Sequence, residues 1–286
     1  MRVILLSVPV KRPDQMMSSV RIALRALFIV LHIMIGVILS LAILWPLSWV
    51  SASFSWKIQS WIIRLWNRVL CLILGLQVTR EGARFDAPVL FVANHISWLD
   101  IVGLLAYMDG VFLAKSEVRS WPVIGWLCNR AGTLFIARGA VGAADRACKQ
   151  IRKALLSGKN VFIFPEGTST NGRLVRPFFP RLFEAAIRTE KTIQPVAIKY
   201  RRNGRVDEIA PFIDEDEFTV HLLRLIAQPK TNLSISYLPP IESDSGDRRT
   251  LAKAARTRIE EVVLSEENED IPVLSRRVET IEPSQI

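Results

Sequence analysis

The chain has 286 residues, half of them hydrophobic, with 37 Lys and Arg against 27 Asp and Glu for a formal charge of +10. This length holds one catalytic domain and a small accessory element, and leaves too little for two full domains. A positive mean hydropathy is high for a soluble protein and points to a membrane segment, while the basic excess brings no nucleic-acid motif with it and nucleic acid is set aside as a partner.

Residues 26–47 read ALFIVLHIMIGVILSLAILWPL, an uncharged run long enough to cross the roughly 30 Å of bilayer hydrocarbon as a helix. Arg21 and Arg25 precede it, and Trp45 and Trp49 stand at its end, where indole rings favour the interface. A signal peptide is the rival, with Val50-Ser51-Ala52 as its cleavage site, but the apolar run exceeds a typical signal core. Residues 56–78 are also apolar but broken by Lys57, Arg64, Asn67 and Arg68, with Trp61 and Trp66 interleaved. Arg64 and Arg68 share one helical face, the pattern of a helix lying in the headgroup plane. Up to Arg80 there are nine Lys or Arg against the single acid Asp14, so residues 1–80 are expected to be a membrane-anchoring region. Basic flanks on both sides of the first run favour a hairpin or re-entrant pair with both ends on the cytoplasmic face.

Beyond Gly82 short apolar runs alternate with helical patterns. Residues 89–92, 111–113, 134–136, 161–164, 195–198 and 233–237 read as buried strands. Residues 142–156 place Ala143, Ala147, Ile151, Ala154 and Leu155 on one stripe, with Gly158 beyond the end, as an amphipathic helix requires. Residues 182–188 and 250–264 read as helices too. The alternation predicts an α/β fold: a central mixed or mostly parallel sheet flanked by helices over residues 81–264, preceded by an N-terminal membrane helix pair. Residues 265–286, Glu-rich and then Pro-bearing, are expected to be a disordered acidic tail. Cys71, Cys128 and Cys148 have neither metal nor redox spacing, which suits reduced thiols on a cytoplasm-facing domain.

Two blocks carry chemistry. In Asn94-His95-Ile96-Ser97-Trp98-Leu99-Asp100, His95 follows a strand and Asp100 falls inside the next helix. With His95 in the turn, the carboxylate can fold back to an imidazole nitrogen, fix its tautomer and raise the basicity of the other, a general-base arrangement. The structural alternative has Ser97 as N-cap and Asp100 as the acid of a capping box. His32 and His221, in apolar helical stretches, read as packing or interfacial residues. The second block, Phe164-Pro165-Glu166-Gly167-Thr168-Ser169, also follows a strand, and Gly167 with the neighbouring hydroxyls suits an anion-binding turn or an ordinary loop. It is no P-loop, because Gly172 is followed by Arg173-Leu174. Between the blocks, the strand ending in Ile136-Ala137 delivers Arg138 to the same sheet edge, with guanidinium geometry suited to phosphate. Lys115, after residues 111–113, adds a cation there or forms a surface ion pair.

In this order, His95 through Asp100, the block ending at Arg138, Glu166-Gly167-Thr168 and Pro195-Val196-Ala197-Ile198 resemble the glycerolipid acyltransferase family, whose bacterial archetype is 1-acylglycerol-3-phosphate acyltransferase. The resemblance covers residues 88–198, more loosely to 263. It implies that His95, oriented by Asp100, deprotonates the sn-2 hydroxyl of lysophosphatidate, which attacks acyl-ACP or acyl-CoA without a covalent acyl-enzyme. No Gly-x-Ser-x-Gly elbow is present. It also implies that Arg138, Gly167 and Thr168 hold the acceptor's phosphate while Glu166 organises the loop, with Lys115 nearby. Membrane lipid and lysolipid, with carrier protein or CoA, are the implied partners, at the cytoplasmic face of a bacterial inner membrane, with no cofactor. No metal is expected, since none of the three histidines has ligand spacing.

The sequence departs from the family where many members carry Arg after Glu-Gly-Thr and have Ser169 here, and where a common Phe-Lys-x-Gly is Phe179-Pro180-Arg181-Leu182. Lyso-ornithine lipid, with a carboxylate as its anion, is therefore the alternative acceptor. A reading from another class, a non-catalytic lipid-binding membrane protein, is opposed by the intact His95 and Asp100.

Overall fold

A computed structural model describes residues 13–44, 52–86, 88–137, 139–213 and 216–265. Trp45, Trp49, Val50, Ser51, Arg138 and tail residues 266–286 lie outside the described residues.

The chain opens with α1 (Pro13–Leu39), whose last turn, Ser40–Leu44, widens to π geometry. Helix α2 (Ala52–Leu74) follows and ends at Gly75, whose φ of +72° makes the left-handed turn that ends many helices. Then come β1 (Leu76–Glu81), β2 (Leu90–Ala93), α3 (Leu99–Tyr107), β3 (Val111–Lys115), a 3₁₀ turn at Ser116–Ser120, α4 (Ile124–Arg130) and β4 (Leu134–Ile136). The rest is α5 (Ala143–Leu156), β5 (Val161–Ile163), a 3₁₀ turn at Pro180–Phe183 running into α6 (Glu184–Ile187), β6 (Ile193–Arg202), β7 (Arg205–Val206), α7 (Phe218–Ala227), β8 (Thr231–Tyr237) and α8 (Arg248–Leu264).

Among the described residues eight strands form a sheet in the order β1-β8-β6-β2-β5-β3-β4, with β7 added to β6. β6, β2, β5, β3 and β4 are mutually parallel, β8 is antiparallel to β6, and β1 is parallel to β8. This is the mostly parallel, helix-flanked sheet that the alternating runs predict. Because side chains alternate across a strand, Leu90, Val92, Val161 and Ile163 face one core with α5 and α8, built on Ile151, Leu155, Leu251 and Ile259. Phe91, Ala93, Phe162 and Phe164 face a second core with α2, α3 and α7, built on Cys71, Leu99, Leu104 and Leu225. The C-terminal ends of the parallel strands share one edge, which collects His95, Glu166 and Lys115.

The N-terminal region departs from expectation. Only α1, over Met17–Ile43, is long and apolar enough among the described residues to cross a membrane, so of the expected membrane helix pair one apolar helix is found. The arginines read as headgroup ligands hold helix ends instead. Arg21 Nη1 donates to the Ala227 carbonyl at 2.5 Å, and Arg25 donates to the carbonyls of Gln228 at 2.6 Å and Pro229 at 2.9 Å. Arg68 Nε donates to Ala106 at the end of α3 at 2.8 Å, and Arg64 lies 3.7 Å from Asp109. Cations at helix C-termini offset the carbonyl dipoles left unpaired there, so α1 is fastened to α7 and α2 to α3. The expected boundary between residues 80 and 81 falls inside β1. This edge strand buries little beyond Leu76, and its apolar start merges in sequence with the end of α2.

Candidate active site

The strand β2 ends at Ala93, and Asn94 locks that end to β6: its side-chain amide accepts from Ile198 N at 2.8 Å and donates to Ile198 O at 2.9 Å. The chain then turns through His95 into α3. Asp100, fully buried in the first turn of α3, reaches back over that turn. Its Oδ2 lies 2.8 Å from His95 Nδ1 and accepts from Ile96 N at 2.8 Å and Ser97 N at 3.1 Å. Both sequence readings of this motif are therefore partly realised. The carboxylate satisfies orphan N–H groups ahead of the helix as a capping acid does, while the Ser97 hydroxyl has no hydrogen-bond partner among the described residues.

An ionised carboxylate only accepts hydrogen bonds, so the pairing puts the imidazole proton on Nδ1 and leaves the lone pair on Nε2. The ring is held flat by Phe164, stacked at 4.1 Å between centroids. Phe164 continues a ladder of rings across the sheet, with Phe112–Phe162 at 4.6 Å and Phe91–Phe162 at 4.8 Å. The His95 side chain keeps 19% exposure against none for Asp100. A buried anion behind and an accessible nitrogen in front is geometry that can accept a proton.

Glu166 ties the second block to the first. Its carboxylate accepts from His95 N at 2.8 Å through Oε1 and from Arg176 N at 2.8 Å through Oε2. Burial pushes its carboxyl above the usual range, and those two N–H bonds pull the other way. Thr170 N donates to His95 O at 2.8 Å, and the Ser169 hydroxyl donates to the Phe212 carbonyl. Gly167 has a φ of +76°, and a Cβ there would stand 2.7 Å from the Phe179 ring, so both conformation and space favour glycine. Thr168 is exposed at the tip of the turn. Lys115 lies at the same sheet edge but pairs with Glu117 at 3.0 Å. Arg138 lies outside the described residues. Sequence thus brings together His95, Asp100, Glu166 and Gly167, and leaves Lys115 engaged elsewhere.

Two residues that sequence reasoning did not assign to the site support it. Tyr200, on β6, donates its hydroxyl to Asp100 Oδ1 at 2.7 Å. His221, on α7, accepts from Trp98 Nε1 at 3.1 Å through Nδ1, and its Nε2 lies 2.9 Å from Pro211 O and 3.1 Å from Ile209 O. It thereby clips residues 209–212 against the turn that carries His95, where Phe212 N donates to Ile96 O at 2.9 Å. Its reading as a packing residue captured the burial but not this clip, because Trp98 lies 123 positions away. Among the described residues no cluster of His, Cys, Asp or Glu has metal-holding geometry.

Fold and site together define an α/β enzyme with a histidine–aspartate pair at the C-terminal edge of a mostly parallel sheet. The Acyltransferase family model matches residues 75–199. The lyso-ornithine lipid O-acyltransferase of Pseudomonas aeruginosa is 43% identical over 198 residues, covering 69% of this chain and 76% of the relative. The 1-acyl-sn-glycerol-3-phosphate acyltransferase of Neisseria meningitidis is 30% identical over 204 residues, covering 71% and 80%. The crystal structure of the 1-acyl-sn-glycerophosphate acyltransferase PlsC of Thermotoga maritima superposes with a TM-score of 0.66 at 20% identity, over 90% of this chain and 98% of that one; at this identity the likeness concerns the fold. The chain belongs to the acyltransferase family and is an enzyme of that class.

Proposed function

We propose that the protein acylates a hydroxyl of lyso-ornithine lipid at a membrane surface, taking the acyl group from an acyl-ACP or acyl-CoA thioester. The observation that carries the chemistry is the pairing of His95 Nδ1 with Asp100 Oδ2 at 2.8 Å, which leaves Nε2 as the base. Nε2 removes the hydroxyl proton as the oxygen attacks the thioester carbonyl. The tetrahedral intermediate collapses, the C–S bond breaks, and the departing thiolate takes the proton back from the imidazolium. The products are an ester and a free thiol. Positioned proton transfer of this kind contributes about 10²–10⁴-fold in rate.

The choice of acceptor reverses the order expected from sequence, in which lysophosphatidate came first. Two facts support it: the 43% identity to a relative named for lyso-ornithine lipid, and the turning of Ser169, where many family members carry Arg, onto the Phe212 carbonyl. Arg138, Gly167 and Thr168 are assigned by the resemblance to the acceptor's anion, and Lys115 to a peripheral place. The apolar helix α1 holds the site at the membrane, where the insoluble acceptor and product exchange laterally; the catalytic domain is assigned to the cytoplasmic side of the inner membrane.

The test is turnover of labelled acyl-ACP and acyl-CoA by the purified full chain with lyso-ornithine lipid or lysophosphatidate. Turnover of lysophosphatidate alone overturns the acceptor. Near-normal activity in His95→Ala overturns the mechanism.

A further inference from the structure

We propose that Arg176 receives the carboxylate of the acceptor lipid and sets the preference for it; this rests on the acceptor assigned above. Two positions at which many family members carry cations in this loop are Ser169 and Pro180 here. Ser169 is bonded to the Phe212 carbonyl, and the Phe179 ring lies against Gly167. The loop has three arginines. Arg173 pairs with Glu208 at 3.3 Å, and Arg181 makes a bidentate pair with Asp145 at 2.9 Å on both arms. Arg176 is exposed and its guanidinium has no partner among the described residues.

Its backbone, by contrast, is fixed from both sides. Arg176 N donates to Glu166 Oε2 at 2.8 Å, and Arg256 Nε donates to the carbonyls of Arg176 at 3.3 Å and Val175 at 3.1 Å. Pro177 follows and confines Arg176 to extended conformations. The other oxygen of the same Glu166 carboxylate binds His95 N at 2.8 Å. One buried carboxylate thus separates the backbone of the base from the backbone of an unengaged guanidinium. A fixed backbone carrying an unpaired fork, one carboxylate away from the backbone of the base, is a preorganised receptor for an anion.

Charge selects which anion. Relatives with added Arg and Lys in this loop present several cations, suited to a phosphate monoester carrying about −1.5 to −2 at neutral pH. The one unpaired guanidinium of this loop, added to the Arg138 assigned above, suits bidentate binding of a carboxylate.

The experiment measures KM and kcat of the full chain, Arg176→Gln and Arg176→Lys with lyso-ornithine lipid, its carboxyl methyl ester and lysophosphatidate. Arg176→Gln should raise KM for lyso-ornithine lipid about tenfold or more with kcat near wild type, and erase discrimination against the methyl ester. Arg176→Lys should recover part of the difference. The thermal midpoint should not move, because the side chain is exposed. Equal KM values in wild type and Arg176→Gln, or discrimination that survives in the variant, overturn the assignment of Arg176 while leaving the acceptor standing. No turnover of lyso-ornithine lipid by the wild type overturns both.

Discussion

Tyr200 and His95 hold the two oxygens of Asp100 from opposite ends: the phenol donates to Oδ1 at 2.7 Å and the imidazole meets Oδ2 at 2.8 Å. With Ile96 N and Ser97 N also on Oδ2, the buried carboxylate is saturated with donors, the condition for burying a charge without a large penalty. Burial and the adjacent Asp100 charge push the Tyr200 hydroxyl well above its ordinary range, so it stays a donor. Tyr200→Phe should strip Oδ1 of this donor. The expected loss is roughly 1–3 kcal/mol of stability and about tenfold in kcat, with membrane association retained. Thermal unfolding and acyl-transfer kinetics measure the two; unchanged kcat would mean that the backbone donors alone orient Asp100.

Glu166→Gln is nearly isosteric but replaces one acceptor oxygen with an NH2 group. Either His95 N or Arg176 N, both bound to Glu166 at 2.8 Å, would then face a donor. The cost of one buried unsatisfied pair is roughly 1–3 kcal/mol, and the catalytic turn should loosen. Thermal stability should fall more than in Thr168→Ala, which touches only the exposed tip. A comparison of the two variants in one assay decides it.

Stability should depend on pH through His221. Burial holds its imidazole below the ordinary value of about 6.5, against the opposing pull of the Pro211 carbonyl and Asp216. For a folded-state pKa below the unfolded one, the unfolded chain binds the extra proton first. His221's contribution is therefore complete above about pH 6.5 and declines as pH falls below it. A protonated Nδ1 would also confront Trp98 Nε1–H, 3.1 Å away. His221→Gln, which keeps one acceptor and one donor, should flatten the loss of thermal midpoint between about pH 7 and pH 5. An unaltered slope in that variant would assign the acid sensitivity to other groups.

Arg25→Leu should free α1 from the catalytic domain, because Arg25 alone reaches Ile226, Gln228 and Pro229 carbonyls at 3.2, 2.6 and 2.9 Å. Those groups close the C-terminal end of α7, where a cation is most favourable. Limited proteolysis in the first turns of α1 should accelerate, and the thermal midpoint should drop. Equal proteolysis rates would show that apolar packing of α1 on α7 suffices.

Local chemistry was enough to place the parts whose signals lie close together in the chain. An uncharged run before basic interruptions marks α1; continuous apolar runs mark β2 through β6 and β8; the Asp100 carboxylate, five residues from His95, reaches the imbalance of N–H groups at a helix start because the turn brings it there. Glycine at 167 announces a left-handed turn. These follow from short-range sterics and periodicity, which any window of the chain contains. What required the folded chain was every partner supplied from far away. The hydroxyl on Asp100 comes from β6, the carboxylate beneath His95 from the end of β5, and the clip on Trp98 from α7. The arginines of the N-terminal helices look like lipid ligands when read beside their own apolar neighbours, and become helix-end donors only once α3 and α7 are packed against them. Parallel strand pairing and helix docking join residues separated by 70 or more positions in several of these contacts, and no local pattern encodes which distant group will meet a buried charge.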